Sequence, residues 1–115
     1  MKISEIANEA EAEVLFKAPG FDSEDIVCAV AADMMSEVMV DTADGSLMIT
    51  GLMNPQVIRT AEMMNVSAIL FVRGKEVQES LLTLAEDRGV SVLRTKLTTF
   101  EVCGRLYKAG LVSGQ

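Results

Sequence analysis

Thr50, Gly51 and Asn54 lie where an apolar stretch ends and a stretch of helical periodicity begins. Many phosphate-binding turns place a glycine before a helix N-terminus, because the free N–H groups and the helix dipole attract anions. Polar residues also follow the next two apolar stretches, where Arg73 and Lys96 could add charge-assisted hydrogen bonds. We therefore predict a ligand-binding set that comprises Thr50, Gly51, Asn54, Arg73, Gly74, Thr95, Thr98 and Thr99.

A simpler interpretation of the same residues stays open. Asn54, Thr98 and Thr99 are good helix N-caps whether or not a ligand binds. Gly51 and Gly74 suit tight turns, and Arg73 can be an ordinary solvated charge. The sequence alone does not decide between a binding edge and a set of capped corners.

The motifs of common enzymes are absent from the chain. A P-loop needs two glycines, a lysine and a hydroxyl residue at fixed spacing, but Gly74-Lys75 is followed by Glu76 and preceded by Ile69 at the first glycine position. The chain contains no histidine, which excludes histidine triads and imidazole bases. Cys103 has no histidine partner and lies in a predicted helix. We predict that the protein is not an enzyme and has no catalytic residues.

The acidic residues predict solubility rather than chemistry. Pairs such as Glu86 and Asp87 lie on predicted surfaces, where solvation is the usual role of a carboxylate. We therefore expect no metal site and no cofactor. The net charge of −7 and the scattered Lys and Arg residues argue against nucleic acid as a partner.

The N-terminal residues and the cysteines predict a cytoplasmic protein. Acidic residues occupy the positions where a signal peptide needs an apolar run, and no stretch approaches the roughly 18 apolar residues of a membrane span. Cys28 and Cys103 form no CxxC motif and are most simply reduced thiols.

Hydrophobic periodicity predicts helices that alternate with strands. After a short helix near residues 3–7, the predicted strands are 12–16, 26–32, 46–50, 67–72 and 90–95. The predicted helices are 33–40 with Asp33 as its cap, 54–65, 75–88, and one that begins at a Thr98–Glu101 capping box. Because long helical crossovers join parallel strands, we predict a three-layer-like α/β domain with a mainly parallel sheet of four to five strands flanked by helices.

The stretch from Asp33 to Leu111 resembles the DRTGG domain family, most closely its small stand-alone members, which are often labelled HPr serine kinase-like. The most specific part is "GVSVLRTKLTTFEVCGRLY", residues 89–107, which meets a family pattern ending in an aromatic residue, Glu, and Arg-Leu-Tyr. The literal Asp-Arg-Thr-Gly-Gly string is absent, and "GLMNP" follows Thr50. We treat residues 1–115 as one domain, with an opening helix and strands over 1–32, the best match over 33–111 and a frayed tail over 112–115.

The resemblance implies a regulatory α/β module that tends to dimerise, accompanies nucleotide-sensing CBS pairs, and has no established catalytic role. It leads to three hypotheses. The favoured one is a homodimeric regulatory module that binds a small anion or nucleotide at the carboxyl edge of the sheet. The second is an accessory protein that docks onto a metabolic enzyme, and the least favoured is a phosphotransferase, since no phosphoryl-transfer apparatus is present. No membrane partner is expected.

Overall fold

The computed structural model describes all of residues 1–115 and contains five helices and six strands. The helices are α1 (Ile3–Glu9), α2 (Met35–Val40), α3 (Pro55–Met63), α4 (Glu79–Arg88) and α5 (Thr99–Ala109). The strands are β1 (Ala12–Phe16), β2 (Cys28–Ala31), β3 (Leu47–Thr50), β4 (Ala68–Phe71), β5 (Ser91–Thr95) and β6 (Val112–Ser113). Every predicted helix and strand is present, with ends that differ by up to four residues.

The strands form one sheet in the order β1-β5-β4-β3-β2-β6. β1 runs antiparallel to β5, with Ala12 opposite Thr95, and all other neighbours are parallel. The prediction of a mainly parallel sheet flanked by helices is confirmed. The sheet has six strands rather than four to five, because the tail adds one.

The C-terminal tail is where the fold departs most from the prediction. We expected residues 112–115 to be frayed, but Val112 and Ser113 pair with β2 as β6. The Gly114 N–H donates to Ala29 O at 2.9 Å, and the Gly114 carbonyl accepts from Ala43 N at 2.9 Å. A two-residue strand held by main-chain bonds leaves no periodicity in the sequence, so pattern reasoning could not find it.

Two helix starts also differ from the prediction. α4 begins at Glu79 instead of Lys75, because residues 75–78 are not helical and the N-cap residue Gln78 is extended. The Lys75 side chain donates to the Gly51 carbonyl. α2 begins at Met35, and its N-cap residue, Met34, makes no side-chain capping bond. Asp33 does not cap α2 because its carboxylate accepts from the Gly51 N–H. By contrast, Asn54 caps α3 as predicted, by accepting from Gln56 N at 2.9 Å.

The sheet separates two hydrophobic clusters. α1 and α5 cover one face, where Ile6, Leu70 and Leu106 are buried together. α2, α3 and α4 cover the other, where Val38, Ile58 and Phe71 are buried together. β3 and β4 are buried at every position, as expected of central strands covered on both faces. The two layers of helices hold the carboxyl ends of β2 to β5 at one edge.

Candidate functional site

A carboxylate joins the ends of β2 and β3. Asp33 follows β2, and its Oδ1 accepts a hydrogen bond from the Gly51 N–H at 2.8 Å and another from the Thr50 hydroxyl at 3.2 Å. The Thr50 hydroxyl also accepts from the Leu52 N–H at 3.1 Å. The two bonds to Asp33 join the end of β3 to the segment that follows β2.

Two cations from the loop after β4 converge on the same glycine. Lys75 Nζ donates to the Gly51 carbonyl at 3.1 Å. Arg73 Nη1 lies 3.9 Å from Asp33 Oδ2, which is an ion pair beyond hydrogen-bond reach. A Cβ atom on Gly51 would lie 2.2 Å from Arg73 Nη2, so only glycine lets the guanidinium rest there. We call Asp33, Thr50, Gly51, Arg73 and Lys75 the edge cluster.

The electrostatics of the edge cluster keep Asp33 ionised. The hydrogen bond from the Gly51 N–H lowers the pKa of Asp33 below its ordinary value of 3.8, helped by Thr50 and by the charges of Arg73 and Lys75, while partial burial opposes the shift. The side chains of Asp33 and Arg73 are 54% and 42% exposed. The cluster is therefore a solvent-accessible site with two cations and one carboxylate.

The crevice between β4 and β5 is closed by the chain itself. The chain leaves β4 toward α4 on one face of the sheet and leaves β5 toward α5 on the other, so this is the point where ligands of open α/β sheets usually bind. Here the Arg73 N–H donates to Leu97 O at 2.9 Å and the Gly74 N–H donates to Thr95 O at 2.8 Å. Arg73 and Gly74 both adopt left-handed backbone conformations, with φ of 68° and 66°, to make these bonds.

The predicted site residues fall into three groups. Thr50, Gly51 and Arg73 belong to the edge cluster, and Gly74 shapes the turn beside it. Thr95 is buried, and its hydroxyl donates to Ala10 O at 2.6 Å and accepts from the Leu97 N–H at 3.2 Å. The remaining three serve helix starts: Asn54 caps α3, Thr98 caps α5 by accepting from Glu101 N at 3.3 Å, and Thr99 is the first residue of α5.

The capping box predicted for α5 is only half formed. Thr98 accepts the expected bond, but the Glu101 carboxylate accepts from Arg105 Nη2 at 3.1 Å within an ion pair. The capping explanation therefore accounts for Thr98 and Asn54, whereas it does not account for Arg73 and Gly51.

Asp33 and Lys75 are absent from the predicted site, although they belong to the edge cluster. Asp33 was assigned as a helix cap and Lys75 as the first residue of a helix, and both assignments are wrong in the structure. The available signal was position: each follows a strand whose end must lie at the carboxyl edge of a parallel sheet.

Groups that perform acid–base or metal chemistry are not assembled at this edge. No group of three or more Cys, Asp or Glu residues is placed to hold a metal ion. Cys28 and Cys103 are free, and burial raises the pKa of the Cys103 thiol, which disfavours the nucleophilic thiolate. The arrangement brings two cations and one carboxylate together around Gly51.

The model of the DRTGG domain matches residues 5–109. The chain belongs to the DRTGG domain family. No curated protein matches the sequence of this DRTGG domain.

A solved structure shares the fold of this DRTGG domain. It contains the CBS and DRTGG domains of the regulatory region of Clostridium perfringens pyrophosphatase, complexed with its activator, diadenosine tetraphosphate. The two chains superpose with a TM-score of 0.75 at 16% identity, and the match covers 96% of this chain and 47% of that chain. The DRTGG domain thus spans about half of that regulatory region. No helix of the domain has the length and apolarity to cross a membrane.

Proposed function

We propose that this chain is a non-catalytic regulatory module that binds a small phosphate-bearing anion at the edge cluster and acts as a homodimer. The observation that carries the proposal is the convergence of Arg73 and Lys75 on Gly51. In a protein with a net charge of −7, two cations beside one carboxylate form a local site that favours an anion.

The state of Arg73 supports a binding role. Its guanidinium faces Asp33 at 3.9 Å, so its donors are not committed to the carboxylate. A planar guanidinium matches the oxygens of a phosphate in a bidentate manner, and a lysine adds a point charge. The incoming phosphate takes the place of Asp33 opposite Arg73.

Asp33 links this exchange to the rest of the fold. It stands two residues before α2, and it is bonded to the main chain of Gly51. An anion that weakens the pairing of Asp33 with Arg73 therefore affects the contact between Gly51, which follows β3, and Asp33, which precedes α2. This is a direct route by which a ligand could change the surface that α2 presents.

The solved relative guides the choice of probes. Its regulatory region binds diadenosine tetraphosphate, so polyphosphates and nucleotides are the first ligands to test here. We propose binding at the edge cluster from the contacts of Arg73 and Lys75 in this chain alone.

The test is isothermal titration calorimetry with pyrophosphate, ATP and diadenosine tetraphosphate. We expect at least one to bind, and we expect Arg73→Ala to weaken its binding by about tenfold or more, since a charge-assisted hydrogen bond contributes about 1.5–3 kcal/mol. Gly51→Ala should weaken it as well, because the added methyl group displaces the guanidinium. Arg59→Ala, which removes an exposed arginine of α3, is the matched control and should leave binding unchanged.

Equal affinities of the Arg73→Ala and Arg59→Ala variants would contradict the edge cluster as the site. Turnover of ATP that depends on Arg73 would contradict the non-catalytic role. Sedimentation equilibrium tests the homodimer separately from both.

A second function is favoured by the surface of α2. Met34, Met39 and Val40 are 63%, 41% and 83% exposed, which suits an adaptable apolar contact with another protein. On this alternative the chain is an accessory of a metabolic enzyme and binds no small molecule. Affinity purification would favour the accessory role if it yielded one stoichiometric enzyme that is lost on Met34→Glu and Val40→Glu substitution. The calorimetric titrations with small molecules should then show no binding.

A further inference from the structure

α5 carries an apolar stripe on the side that faces away from the core. Phe100, Cys103, Gly104 and Tyr107 follow the spacing i, i+3, i+4, i+7, which places them on one helix face. Phe100 is 89% exposed and Tyr107 is 76% exposed. We call these four residues the outer stripe.

The two aromatic residues of the outer stripe lie outside the core of a single chain, whereas Cys103 is half-buried against that core. The inward face of α5 already buries Val102 and Leu106 in the core, and these two residues attach the helix to the sheet. Two aromatic rings on the opposite face, three-quarters or more exposed, contribute little to folding. A Cβ added to Gly104 would meet nothing within 4 Å, so the middle of the stripe is a shallow gap in the surface.

We propose that the outer stripe is the surface where a second copy of this chain docks, with the two α5 helices antiparallel across a two-fold axis between Cys103 and Gly104. This inference rests on the homodimer in the proposed function and identifies its interface. It does not depend on anion binding at the edge cluster.

The order of residues along the stripe is self-complementary. With the axis between Cys103 and Gly104, Phe100 of each copy lies opposite Tyr107 of the other. Cys103 of each copy then lies opposite Gly104 of the other, where the missing side chain lets the helices approach. A two-fold interface requires this kind of self-matching surface, and the aromatic pairs provide its largest contacts.

The charges beside the stripe also match in this arrangement. Glu101 is near the N-terminus of α5 and Lys108 is near its C-terminus, both on the same flank. Antiparallel pairing places Glu101 of one copy near Lys108 of the other, twice per dimer. Arg105 is already paired with Glu101 and with Glu11 of the same chain, so Lys108 is the cation of this flank that can reach the partner. The contact between Lys108 and Glu101 of the other copy therefore adds charge complementarity to the antiparallel arrangement.

The area of the outer stripe fits a weak, reversible dimer rather than a permanent one. Four aromatic rings bury about 600–1,000 Å² in total at about 150–250 Å² each. The stripe continues into an apolar cavity of about 130 Å³ between α5 and β2, lined among others by Tyr107, Ala29, Ala31 and Val112. Together these surfaces stay below about 1,200 Å², which is the size of weak and transient interfaces.

The first experiment is sedimentation equilibrium on Phe100→Glu and Tyr107→Glu variants. We expect each to weaken dimerisation by more than about tenfold, as is usual for central aromatic residues. Val40→Glu is the matched control, since Val40 is 83% exposed on α2 and its replacement adds the same charge. Circular dichroism should show unchanged folding for all three variants, because none of these side chains is buried.

The second experiment uses the charge pair and tests orientation. Glu101→Lys and Lys108→Glu should each weaken the homodimer, because each apposes two like charges across the axis. An equimolar mixture of these two variants should form a heterodimer, since both contacts then join opposite charges. Parallel pairing, or any other surface, gives no reason for the mixture to associate better than its components.

The results separate the interface from the proposed function. A dimer unaffected by Phe100→Glu and Tyr107→Glu, or disrupted by Val40→Glu instead, overturns the outer stripe and leaves the homodimer standing. A monomer at every concentration overturns both, while calorimetry at Arg73 still decides anion binding on its own. Failure of calorimetry with a dimer that responds as expected removes the ligand and retains the interface.

Discussion

Asp33 holds three neighbours with one carboxylate. It accepts from Gly51 and Thr50 and pairs with Arg73, so a single side chain joins the ends of β2, β3 and β4. Its main partner is a backbone N–H, which is satisfied whether or not Arg73 is present. This makes the ion pair with Arg73 the weaker contact and the one that a bound anion can replace.

The depressed pKa of Asp33 predicts a pH dependence of stability. A folded pKa below the ordinary value of 3.8 means that the ionised carboxylate stabilises the fold above that value, and that this contribution is lost as pH falls through the folded pKa. We expect Asp33→Asn to lower the free energy of unfolding by about 1 kcal/mol at pH 7, after allowance for solvent exposure. Urea unfolding of both proteins between pH 7 and pH 2 measures the difference.

The difference between wild type and Asp33→Asn should shrink toward acid pH, where the wild-type carboxyl is also neutral. Asp22→Asn, on an exposed loop residue, provides the control for a general charge effect. A difference that stays constant down to pH 2 would show that ionisation of Asp33 is not its source.

α5 is the element with two separate tasks. Its inner residues close the core over the sheet, and its outer stripe is our proposed interface. The helix is delimited by Thr98 at its start and by Gly110 at its end, where φ is 119° and glycine is favoured. Because these two residues fix where α5 begins and ends, they support the outer stripe as well as the fold.

Loss of the α5 cap should therefore lower stability without affecting the edge cluster. Thr98→Ala removes the acceptor for Glu101 N, and we expect a loss of about 1 kcal/mol in the free energy of unfolding. Thr99→Ala is the neighbouring control, since Thr99 lies inside the first turn and makes no capping bond. Chemical denaturation followed by circular dichroism would contradict the prediction if the two variants were equally stable.

At the scale of the whole molecule, the chain closes the sheet with its last residues. β6 covers the outer edge of β2, and Gln115 Nε2 donates to Glu37 O at 2.9 Å, which attaches the terminus to α2. The tail therefore connects the edge of the sheet to the helix that follows Asp33.

Removal of residues 112–115 should destabilise this edge. The main-chain bonds of Val112 to Val27, of Gly114 to Ala29 and of Ala43 to Gly114 are lost, and we expect a decrease of about 2 kcal/mol in the free energy of unfolding. Hydrogen exchange should show faster exchange at the Ala43 amide in the truncated chain. The Asn65 carbonyl and Gly45 amide bond is the internal control, because it does not involve the tail. Unchanged Ala43 protection would mean that the tail is frayed in solution.

The sequence by itself determined the elements and their class. Apolar runs and helical periodicity located five of the six strands and all five helices, because burial on both faces of a sheet requires continuous apolar strands. Asn54 and Thr98 were identified as caps because capping is a local interaction between residues two or three positions apart.

Only the tertiary structure decided which polar residues meet. Asp33 and Gly51 are bonded because β2 and β3 lie side by side, and Arg73 reaches them because β4 is next in the sheet. Thr95 does not join the edge cluster because its buried hydroxyl donates to the carbonyl of Ala10, the C-cap residue of α1. These contacts join residues 17 to 85 positions apart along the chain. Their partners are set by strand order and helix packing, which no local pattern of residues specifies.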